Sequence, residues 1–499
     1  MKILLVTGRN AVDEVKRHIE TVAVPVKIHV CEVDVAAFLS LGKILEELSK
    51  LNLGDISQII VPGTVGGDMS PLTRDLGIPC IKGPRNIADL PLVLKKVSED
   101  GIKLSPRVPA DDLLEEEFRN RMREELNEAY SPKPDKLRIG GKNPVFLGAG
   151  ISHVIAEILD APLLTGEELK RIAGYYLDSG ADVIDLGMIC GRDESDKIGE
   201  MIRILRSTVD TPLSIDSLDE REILAAVDAG VDLILSIDLS NYELMDSVNV
   251  PAVLIPRDEK GVIPKGGDAR ISLVEQLMKE VDKGIVDLIL DPVNLGFTGS
   301  IEACIKFRRK HPEMPMMLGA GNITELLDAD SVGVNALLAG IASELDIDLI
   351  FTTEASVKTR GSVKELSDAV KLMYLSRRRS QPPKDLGVDL LVLKDKRRVE
   401  DAPPVEGVPS IEAVKERDTV LEDGGFRVYL TDVINVVYYI NNKPELKFFG
   451  DSAKKIYQEI LERGLIKKLE HAAYLGKELG KAEIALKLGK NYVQDEDLF

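Results

Sequence analysis

The sequence predicts an α/β protein with a central (β/α)8 TIM barrel, an N-terminal parallel α/β domain and a small C-terminal α+β domain. Three observations support this fold class. The 499 residues exceed one ordinary core and suggest roughly three domains of about 150 residues each. Eight apolar runs follow one another between residues 144 and 354, each with a helix-length amphipathic stretch behind it. Aromatic residues make up only 4% of the chain, so the cores consist of Val, Ile, Leu and Ala, as in parallel sheets.

Residues 1–104 predict the N-terminal domain, because short β-branched runs alternate there with helical patterns. The four runs are 2–7, 26–33, 57–63 and 78–84. Two of them end in glycine-containing turns, at the edge where open α/β sheets bind ligands. A phosphate-binding loop and a plain tight turn remain alternatives for these glycines. Residues 105–143 are strongly charged and predict a helical connector.

Residues 144–376 predict the barrel itself. The strand runs are 144–150, 181–187, 211–217, 232–240, 251–257, 286–292, 314–321 and 347–354. Strands separated by helices pair in parallel, and eight such units match the size of a (β/α)8 barrel. An open doubly wound sheet is the alternative. The barrel is favoured because nearly every run ends in a polar or glycine cluster, as expected where strand ends form one functional face.

The C-terminal part divides into two segments. Residues 377–410 carry a basic cluster and several prolines and predict a linker, with an anion-binding patch as the alternative. Residues 411–499 predict the α+β domain, with two paired strands in 425–441 and helices between 451 and 489.

The composition excludes several classes of partner and site. The net charge of −20 disfavours nucleic acid and anionic membranes. The four cysteines form no C-x-x-C pair, so the sequence indicates neither a disulfide framework nor a thiolate metal site. No apolar run has the length of a signal-peptide core or of a membrane span. We therefore expect a cytoplasmic protein with no membrane partner.

Hydrogen-bond acceptors dominate the predicted strand ends of the barrel. The candidates for ligand binding are Asp185, Asp216, Asp238, Asp291 and Asn294. A carboxylate that faces a ring N–H beside an exocyclic amine accepts two parallel charge-assisted hydrogen bonds, so the pattern suits a pterin- or purine-like ring. Helix capping is the alternative role for these residues, most clearly for Asp185 and Asp238. Mg²⁺ is compatible with two or more carboxylates, but the N–H donor interpretation needs no metal, and we assign no metal ligand.

Four further residues are candidates for phosphate or anion binding. A helix is predicted to open at 321–325 with Asn322 or Thr324 as its N-cap, so its amide N–H groups would face an anion. Lys358 and Arg360 follow the last strand run and are the nearest cations in sequence, with two exposed loop charges as the alternative. His153 faces either the barrel mouth or the surface.

Several catalytic motifs are absent from the sequence. There is no H-x-x-x-H pair, no G-x-S-x-G elbow and no corrinoid-binding Asp-x-His-x-x-Gly loop. Zinc hydrolase and serine hydrolase chemistry are therefore excluded, and no catalytic residue is identified.

The barrel segment resembles the pterin-binding superfamily, meaning dihydropteroate synthase and the pterin-binding domains of corrinoid-linked methyltransferases. The motifs that carry the resemblance are 180–187 (GADVIDLG), 212–217 (PLSIDS), 229–234 (AGVDLI) and 290–292 (LDP) followed by Gly296-Phe297. The resemblance implies a (β/α)8 barrel in which Asp216 and Asp291 hydrogen-bond the pterin ring. The domain order, together with the tail at 471–495, is similar to archaeal dihydropteroate-synthase-related proteins.

The chain also departs from the synthase pattern at four strand ends. Gly148–Gly150 stand where the family has an Asn, and Leu235–Asp238 stand where it has Asn-Asp. Gly319–Asn322 and Thr352–Ala355 replace its lysine- and arginine-containing segments. The ring-stacking Lys and the phosphate-binding Arg of the family therefore have no clear counterparts.

The resemblance implies dihydropteroate-synthase-like transfer of a pterin-methyl group to an arylamine, in tetrahydromethanopterin or folate biosynthesis. One alternative is a methyltransferase, or its subunit, that uses a methyl-tetrahydropterin with a separate corrinoid protein or thiol as acceptor. A second alternative is a non-catalytic pterin-binding protein. A reduced pterin is the expected ligand in all three. The oligomeric state stays open, with a homodimer as one option by analogy with related barrels.

Overall fold

The computed structural model describes residues 2–20, 22–133, 136–393 and 424–498. The chain divides into two compact units. The first is Met1–Thr353 with Gly361–Leu390, and the second is Glu354–Arg360 with Leu391–Phe499. Much of the predicted linker 377–410 and the start of the predicted domain 411–499 fall in 394–423, outside the described residues.

Four parallel strands form the N-terminal sheet, in the order β2-β1-β3-β4. They are β1 (Ile3–Thr7), β2 (Val26–Val30), β3 (Gln58–Val61) and β4 (Cys80–Lys82). The helices are α1 (Val12–Ile19), α2 (Leu41–Leu48), α3 (Ser70–Leu76) and α4 (Leu90–Glu99), followed by α5 (Ala110–Leu113) and α6 (Glu115–Ala129). Alternate side chains of β1 point to opposite faces of the sheet and belong to two apolar cores. Leu4 packs with Ile44 of α2 on one face, and Ile3 packs with Val93 of α4 on the other. This confirms the predicted parallel α/β domain.

A short antiparallel hairpin precedes the barrel. Its strands are β5 (Arg138–Ile139) and β6 (Val145–Phe146). Ile139 and Leu147 pack against Ile155, Leu233 and other side chains inside the barrel. The buried Asp348, directly before the last barrel strand, accepts hydrogen bonds from the Gly148 and Met316 N–H groups. The hairpin therefore closes the barrel at the end where its strands begin.

Eight parallel strands with intervening helices form the barrel, which confirms the predicted class. The strands are β7 (His153–Ile158), β8 (Val183–Gly187), β9 (Leu213–Asp216), β10 (Leu233–Ile237), β11 (Ala252–Leu254), β12 (Gly284–Val286), β13 (Met317–Gly319) and β14 (Leu349–Thr353). Their order is β12-β11-β10-β9-β8-β7-β14-β13, and a parallel bridge between Val286 and Met316 joins its two ends. The helices are α7 (Gly166–Asp178), α8 (Ser195–Arg206), α9 (Glu220–Ala229), α10 (Gly267–Glu280), α11 (Phe297–Lys310), α12 (Gly321–Thr324), α13 (Ser331–Glu344) and α14 (Ser362–Arg379).

Two of the predicted strand runs were wrong in position. The run 144–150 supplies β6 of the hairpin, because Gly148 and Gly150 adopt positive φ angles and turn the chain. The first barrel strand is β7 instead. The run 286–292 overlaps its strand by one residue, since β12 ends at Val286. His153 is buried at the start of β7, so it lies at the end of the barrel opposite the mouth and not on the surface.

The second unit contains a three-stranded antiparallel sheet in the order β15-β16-β17. The strands are β15 (Gly424–Leu430), β16 (Ile434–Ile440) and β17 (Lys443–Gly450), and the helices are α15 (Ala453–Glu462) and α16 (Leu469–Leu488). β17 is a third strand that the sequence interpretation lacked. Side chains of the sheet such as Val436 pack with Ile456 of α15 and with Leu475 and Leu479 of α16. The predicted α+β class is confirmed.

No helix among the described residues combines the length and the apolar character that crossing a membrane requires.

Candidate functional site

A row of polar side chains crosses four neighbouring barrel strands at their C-terminal ends. Thr353 of β14 lies in register with Glu157 of β7, which lies in register with Asp185 of β8, and Asp185 with Ser214 of β9. Two residues earlier, Ile155 and Val183 point into the barrel core. Because side chains alternate along a strand, this row also points into the barrel. TIM-barrel enzymes carry their active sites at this end of the barrel.

Three carboxyl groups meet at this position. Asp216 ends β9 on the same face as Ser214, and one oxygen each from Glu157, Asp185 and Asp216 lie within 4.8 Å of one another. Asp185 is fully buried and Glu157 is 9% exposed. No Lys, Arg or His of the described residues forms an ion pair with any of the three. We call Glu157, Asp185 and Asp216 the carboxylate cluster.

The hydrogen bonds of the carboxylate cluster leave acceptor capacity open. The Ser214 hydroxyl donates to Asp185 Oδ1 at 2.5 Å. Asp185 Oδ2 is buried and has no hydrogen-bond partner among the described residues. A buried acceptor without a partner is costly, so its presence here points to a bound donor.

Burial raises the pKa values of all three carboxyl groups, and acidic neighbours add to the effect at Glu157 and Asp185. Burial, followed by the charge of Asp216, raises the pKa of Glu157 to about 7. Burial raises the pKa of Asp216 to about 6. The pKa of Asp185 lies well above its usual range because of burial and of its two acidic neighbours. Such perturbed groups in a barrel mouth are typical of functional sites.

Gly187 provides the space that the carboxylate cluster needs. It is the last residue of β8 and lies in register with Asp216. A β-carbon at Gly187 would collide with the Glu157 carboxylate. The Glu157 side chain therefore extends across the glycine toward β9.

Asp238 and Asp291 have partners within the barrel wall. The fully buried Asp238 accepts hydrogen bonds from Arg257 Nη1 at 2.9 Å and from the backbone N–H of Ser240 at 2.7 Å. Asp291 accepts from the buried Arg270 Nη2 at 2.7 Å and from the Ser300 hydroxyl at 2.9 Å. Each carboxylate is thus compensated by a guanidinium, unlike the members of the carboxylate cluster.

Asn294 is exposed in the loop after β12 and has a positive φ of 66°. Asn is one of the few residues that adopt this conformation readily. A role in turn geometry therefore explains Asn294 as well as a role in ligand binding does.

The predicted N-cap at 321–325 was wrong. Helix α12 begins at Gly321 with Ala320 as its N-cap, and no side chain caps it. Asn322 and Thr324 lie inside the helix. The Thr324 hydroxyl donates back to the Ala320 carbonyl at 3.3 Å, and Asn322 Nδ2 donates to the Leu290 carbonyl at 3.5 Å.

Lys358 and Arg360 follow β14 in a short 3-10 helix, Val357–Thr359, and at its C-cap. Their segment, 354–360, belongs to the second compact unit, whereas the carboxylate cluster belongs to the first. Their predicted role as phosphate-neutralising cations stays a prediction.

The sequence analysis did not identify Glu157. The run 144–150 was interpreted as the first strand, and residues 153–158 were assigned to no strand. The short apolar run 154–158, interrupted only by Glu157, was the signal for a buried strand. The capping box of Thr165 and Glu168, which starts α7, marks the strand-to-helix connection behind it.

The carboxylate cluster can bind a ligand that presents several N–H groups, and its raised pKa values allow proton exchange with that ligand near neutral pH. It also offers oxygen ligands of the type that Mg²⁺ prefers. Both capacities follow from three inward-facing acids that no cation of the barrel wall neutralises.

Comparison with known proteins gives one relative that matches the whole chain. The uncharacterized protein MJ0107 of Methanocaldococcus jannaschii is 37% identical over 531 aligned residues, covering 100% of this chain and 99% of the relative. Residues 422–495 also match a family model described as PterinBD-DUF4346.

Among solved structures, dihydropteroate synthases match about half of the chain. A Yersinia pestis enzyme with a pterine-sulfa conjugate is 17% identical, with a TM-score of 0.38, over 48% of this chain and 100% of that chain. The 7,8-dihydropteroate synthase of Vibrio fischeri is 19% identical, with a TM-score of 0.37, over 49% and 99% of the two chains.

The relative decides the family, because its similarity extends over the full length of both proteins at an identity well above 30%. The resemblance to archaeal proteins of the pterin-binding type is confirmed by this relative together with the family model at 422–495. The chain belongs to the same archaeal protein family as MJ0107 of Methanocaldococcus jannaschii.

Proposed function

We propose that the barrel binds a reduced pterin at the carboxylate cluster and that the protein is a pterin-dependent transferase. The observation that carries this proposal is the convergence of Glu157, Asp185 and Asp216 without a neutralising cation among the described residues. A pterin edge presents a ring N–H beside an amino group, so a carboxylate accepts two parallel hydrogen bonds from it. The family model matched at residues 422–495, outside the barrel, carries PterinBD in its description, which supports a pterin-linked protein but not the position of the site.

Within this proposal the three acids have different tasks. Asp216 and Asp185 are ionised when the ring is bound and orient it through its N–H groups. Glu157, whose pKa lies at about 7, exchanges a proton with the bound ligand near neutral pH. Asp291 and Asn294 orient the far side of the ring. Orientation alone contributes much of the barrier reduction in a transfer that needs no nucleophilic side chain.

The charge of the carboxylate cluster bears on which transfer takes place. Transfer of a pterin-methyl group to an arylamine releases pyrophosphate, which three uncompensated acids repel. Glu157, Asp185 and Asp216 are suitable ligands for Mg²⁺, which would supply the positive charge that this leaving group requires. Asn322, which is exposed on α12, is the barrel residue proposed for the same anion.

A second reaction is favoured by the lack of a cation at the carboxylate cluster among the described residues. Methyl transfer from a methyl-tetrahydropterin to a separate corrinoid protein or thiol involves no pyrophosphate. This reaction needs only pterin orientation and a proton source, both of which the three acids supply. A non-catalytic pterin-binding role makes the same demands on the site, apart from the proton.

Calorimetric titration of the full-length chain separates these candidates. The ligands are a methyl-tetrahydropterin and a dihydropterin pyrophosphate, each with and without Mg²⁺. Preferred binding of the methylated pterin without Mg²⁺, and methyl loss on addition of a corrinoid or thiol, would establish methyl transfer. Binding of the pyrophosphate only with Mg²⁺, and condensation with an arylamine, would establish the synthase reaction. Failure of both ligands to bind would contradict the proposed function.

A further inference from the structure

A second cluster of metal-ligating side chains lies in the N-terminal domain. His29 belongs to β2, Cys31 follows the end of that strand, and Glu47 belongs to α2. One potential ligand atom of each residue, an imidazole nitrogen, the thiol sulfur and a carboxylate oxygen, lie within 4.8 Å of one another. His29 and Cys31 are two positions apart along an extended chain, so both side chains emerge on the face that α2 covers.

The contacts of Glu47 hold the three groups together. His29 Nε2 lies 3.0 Å from Glu47 Oε2, and the backbone N–H of Glu32 donates to Glu47 Oε1 at 3.0 Å. Lys43 Nζ lies 3.5 Å from the same Oε1, on a side chain that is 31% exposed. Glu47 Oε2 is thus directed into the cluster, while Oε1 is fixed by the backbone.

The burial of these residues differs in a way that suits an ion-binding site. Cys31 is fully buried and Glu47 is 8% exposed, whereas the His29 side chain retains 18% of its surface. The thiol and the carboxylate are therefore shielded from solvent, and the imidazole lies at the solvent-accessible edge of the cluster. An ion can enter beside His29, and a water molecule can complete its coordination from the same side.

We propose that His29, Cys31 and Glu47 form a Zn²⁺ site with three protein ligands and a fourth position open to solvent. Nitrogen, thiolate and carboxylate donors are the ligand types that Zn²⁺ takes, whereas Mg²⁺ and Ca²⁺ prefer oxygen alone. Binding replaces the hydrogen bond between His29 Nε2 and Glu47 Oε2 by two metal bonds, and the imidazole proton moves through solvent from Nε2 to Nδ1, which leaves the ring neutral. It also forms a metal–sulfur bond and releases the Cys31 thiol proton to solvent. Glu47 Oε1 keeps its bond from the Glu32 N–H, so α2 does not need to move.

This site is independent of the proposed pterin function, because it uses residues of a different sheet. A purely structural role, in which Glu47 ties α2 to β2, involves the same hydrogen bonds but binds no metal. The two roles differ in the chemistry of Cys31, since only the metal site requires a thiolate.

Cobalt provides the test, because Co²⁺ occupies Zn²⁺ sites and gives a thiolate charge-transfer band and intense visible bands when it is four-coordinate. The full-length chain is stripped with a chelator and titrated with Co²⁺. We expect about one equivalent to develop both sets of bands and Zn²⁺ to abolish them. The Cys31→Ser variant should lose the charge-transfer band, and Cys190→Ser, which replaces an exposed cysteine, should keep it.

A second variant keeps the test valid if Cys31→Ser fails to fold. The amide of His29→Gln still donates to Glu47 and preserves a structural tether, but it is a poor zinc ligand. We expect this variant to retain the far-ultraviolet circular dichroism of the wild type and to bind Co²⁺ at least tenfold more weakly. Co²⁺ bands that are absent from the folded wild type, or unchanged in His29→Gln, would overturn the proposal.

Discussion

Three neighbouring acids inside a barrel, with no ion-pair partner among the described residues, are unfavourable for the fold. Taking a carboxylate out of water is costly, and each neighbouring acid adds repulsion. The raised pKa values of Glu157 and Asp216 express this cost directly. Functional sites typically contain residues that lower the stability of the fold, and a bound ligand compensates the unfavourable charge.

The first prediction concerns stability and pH at Glu157. Its pKa is higher in the folded than in the unfolded chain, so the native state binds more protons between about pH 4.5 and 7. The free energy of unfolding should therefore fall as pH rises through this window. Glu157→Gln removes that loss and should be the more stable protein at pH 8, by an amount on the order of 3 kcal/mol. Urea unfolding at pH 4.5 and pH 8 measures it.

The control for this prediction is Glu200→Gln on α8, whose side chain is 70% exposed. It should show no pH-dependent difference from the wild type. A wild-type stability that rises between pH 5 and 8 in step with Glu157 ionisation would contradict the assignment.

The second prediction concerns Gly187. A methyl group at this position displaces the Glu157 carboxylate, which is the flexible end of a long side chain, so the fold should tolerate it. We expect Gly187→Ala to retain its melting temperature within a few degrees and to lose roughly tenfold in affinity for a reduced pterin. Gly174→Ala on α7, where a β-carbon meets no neighbour, is the matched control. Equal affinity in both variants would show that Glu157 does not contact the ligand.

At the scale of elements, the hairpin β5–β6 closes one end of the barrel and strand ends form the other. The third prediction follows from this closure. Ile139 is fully buried among inward-facing barrel side chains, and Ile139→Ala should lower the free energy of unfolding by about 2–5 kcal/mol. Lys142 lies in the same hairpin and forms an exposed ion pair with Asp210. Lys142→Ala removes this pair and should lower the free energy of unfolding by less than about 1 kcal/mol. Equal effects would contradict the hairpin's role as a plug.

The strand elements also show what the sequence could and could not reveal. Seven of the eight barrel strands coincide with or overlap an apolar run, because parallel strands covered by helices need apolar residues on both faces. The first strand was misplaced because β6 of the plug is equally apolar and lies just before it. Glu157 was missed with that strand, whereas Asp185 and Asp216 were identified because they end correctly assigned strands. The partners of Asp238 and Asp291 are Arg257 and Arg270. These ion pairs join residues that are distant in sequence, so no local pattern predicts them.

At the scale of the whole molecule, the two compact units have separate apolar cores. The core of the second unit joins Val436 and Ile456 with Leu479 of α16. The fourth prediction is that Leu479→Ala, at a fully buried position, destabilises this unit selectively. Hydrogen exchange should accelerate across 424–488 and remain unchanged in the barrel strands. Uniform acceleration in both units would show that they unfold together.

The central claim is that the carboxylate cluster binds a reduced pterin. Its most direct test is calorimetric titration of the full-length chain with a methyl-tetrahydropterin at pH 8, where the three acids are most ionised. Asp216→Asn should lose tenfold to hundredfold in affinity, since charge-assisted hydrogen bonds contribute about 1.5–3 kcal/mol. Asp348→Asn, which alters a buried acid at the opposite end of the barrel, should bind like the wild type. Wild-type affinity should also fall as pH drops through 7 and 6, because a protonated acid accepts at its carbonyl oxygen only and loses the charge-assisted pair of hydrogen bonds to the pterin. Unchanged affinity in Asp216→Asn, or binding that strengthens as pH falls, would contradict the account.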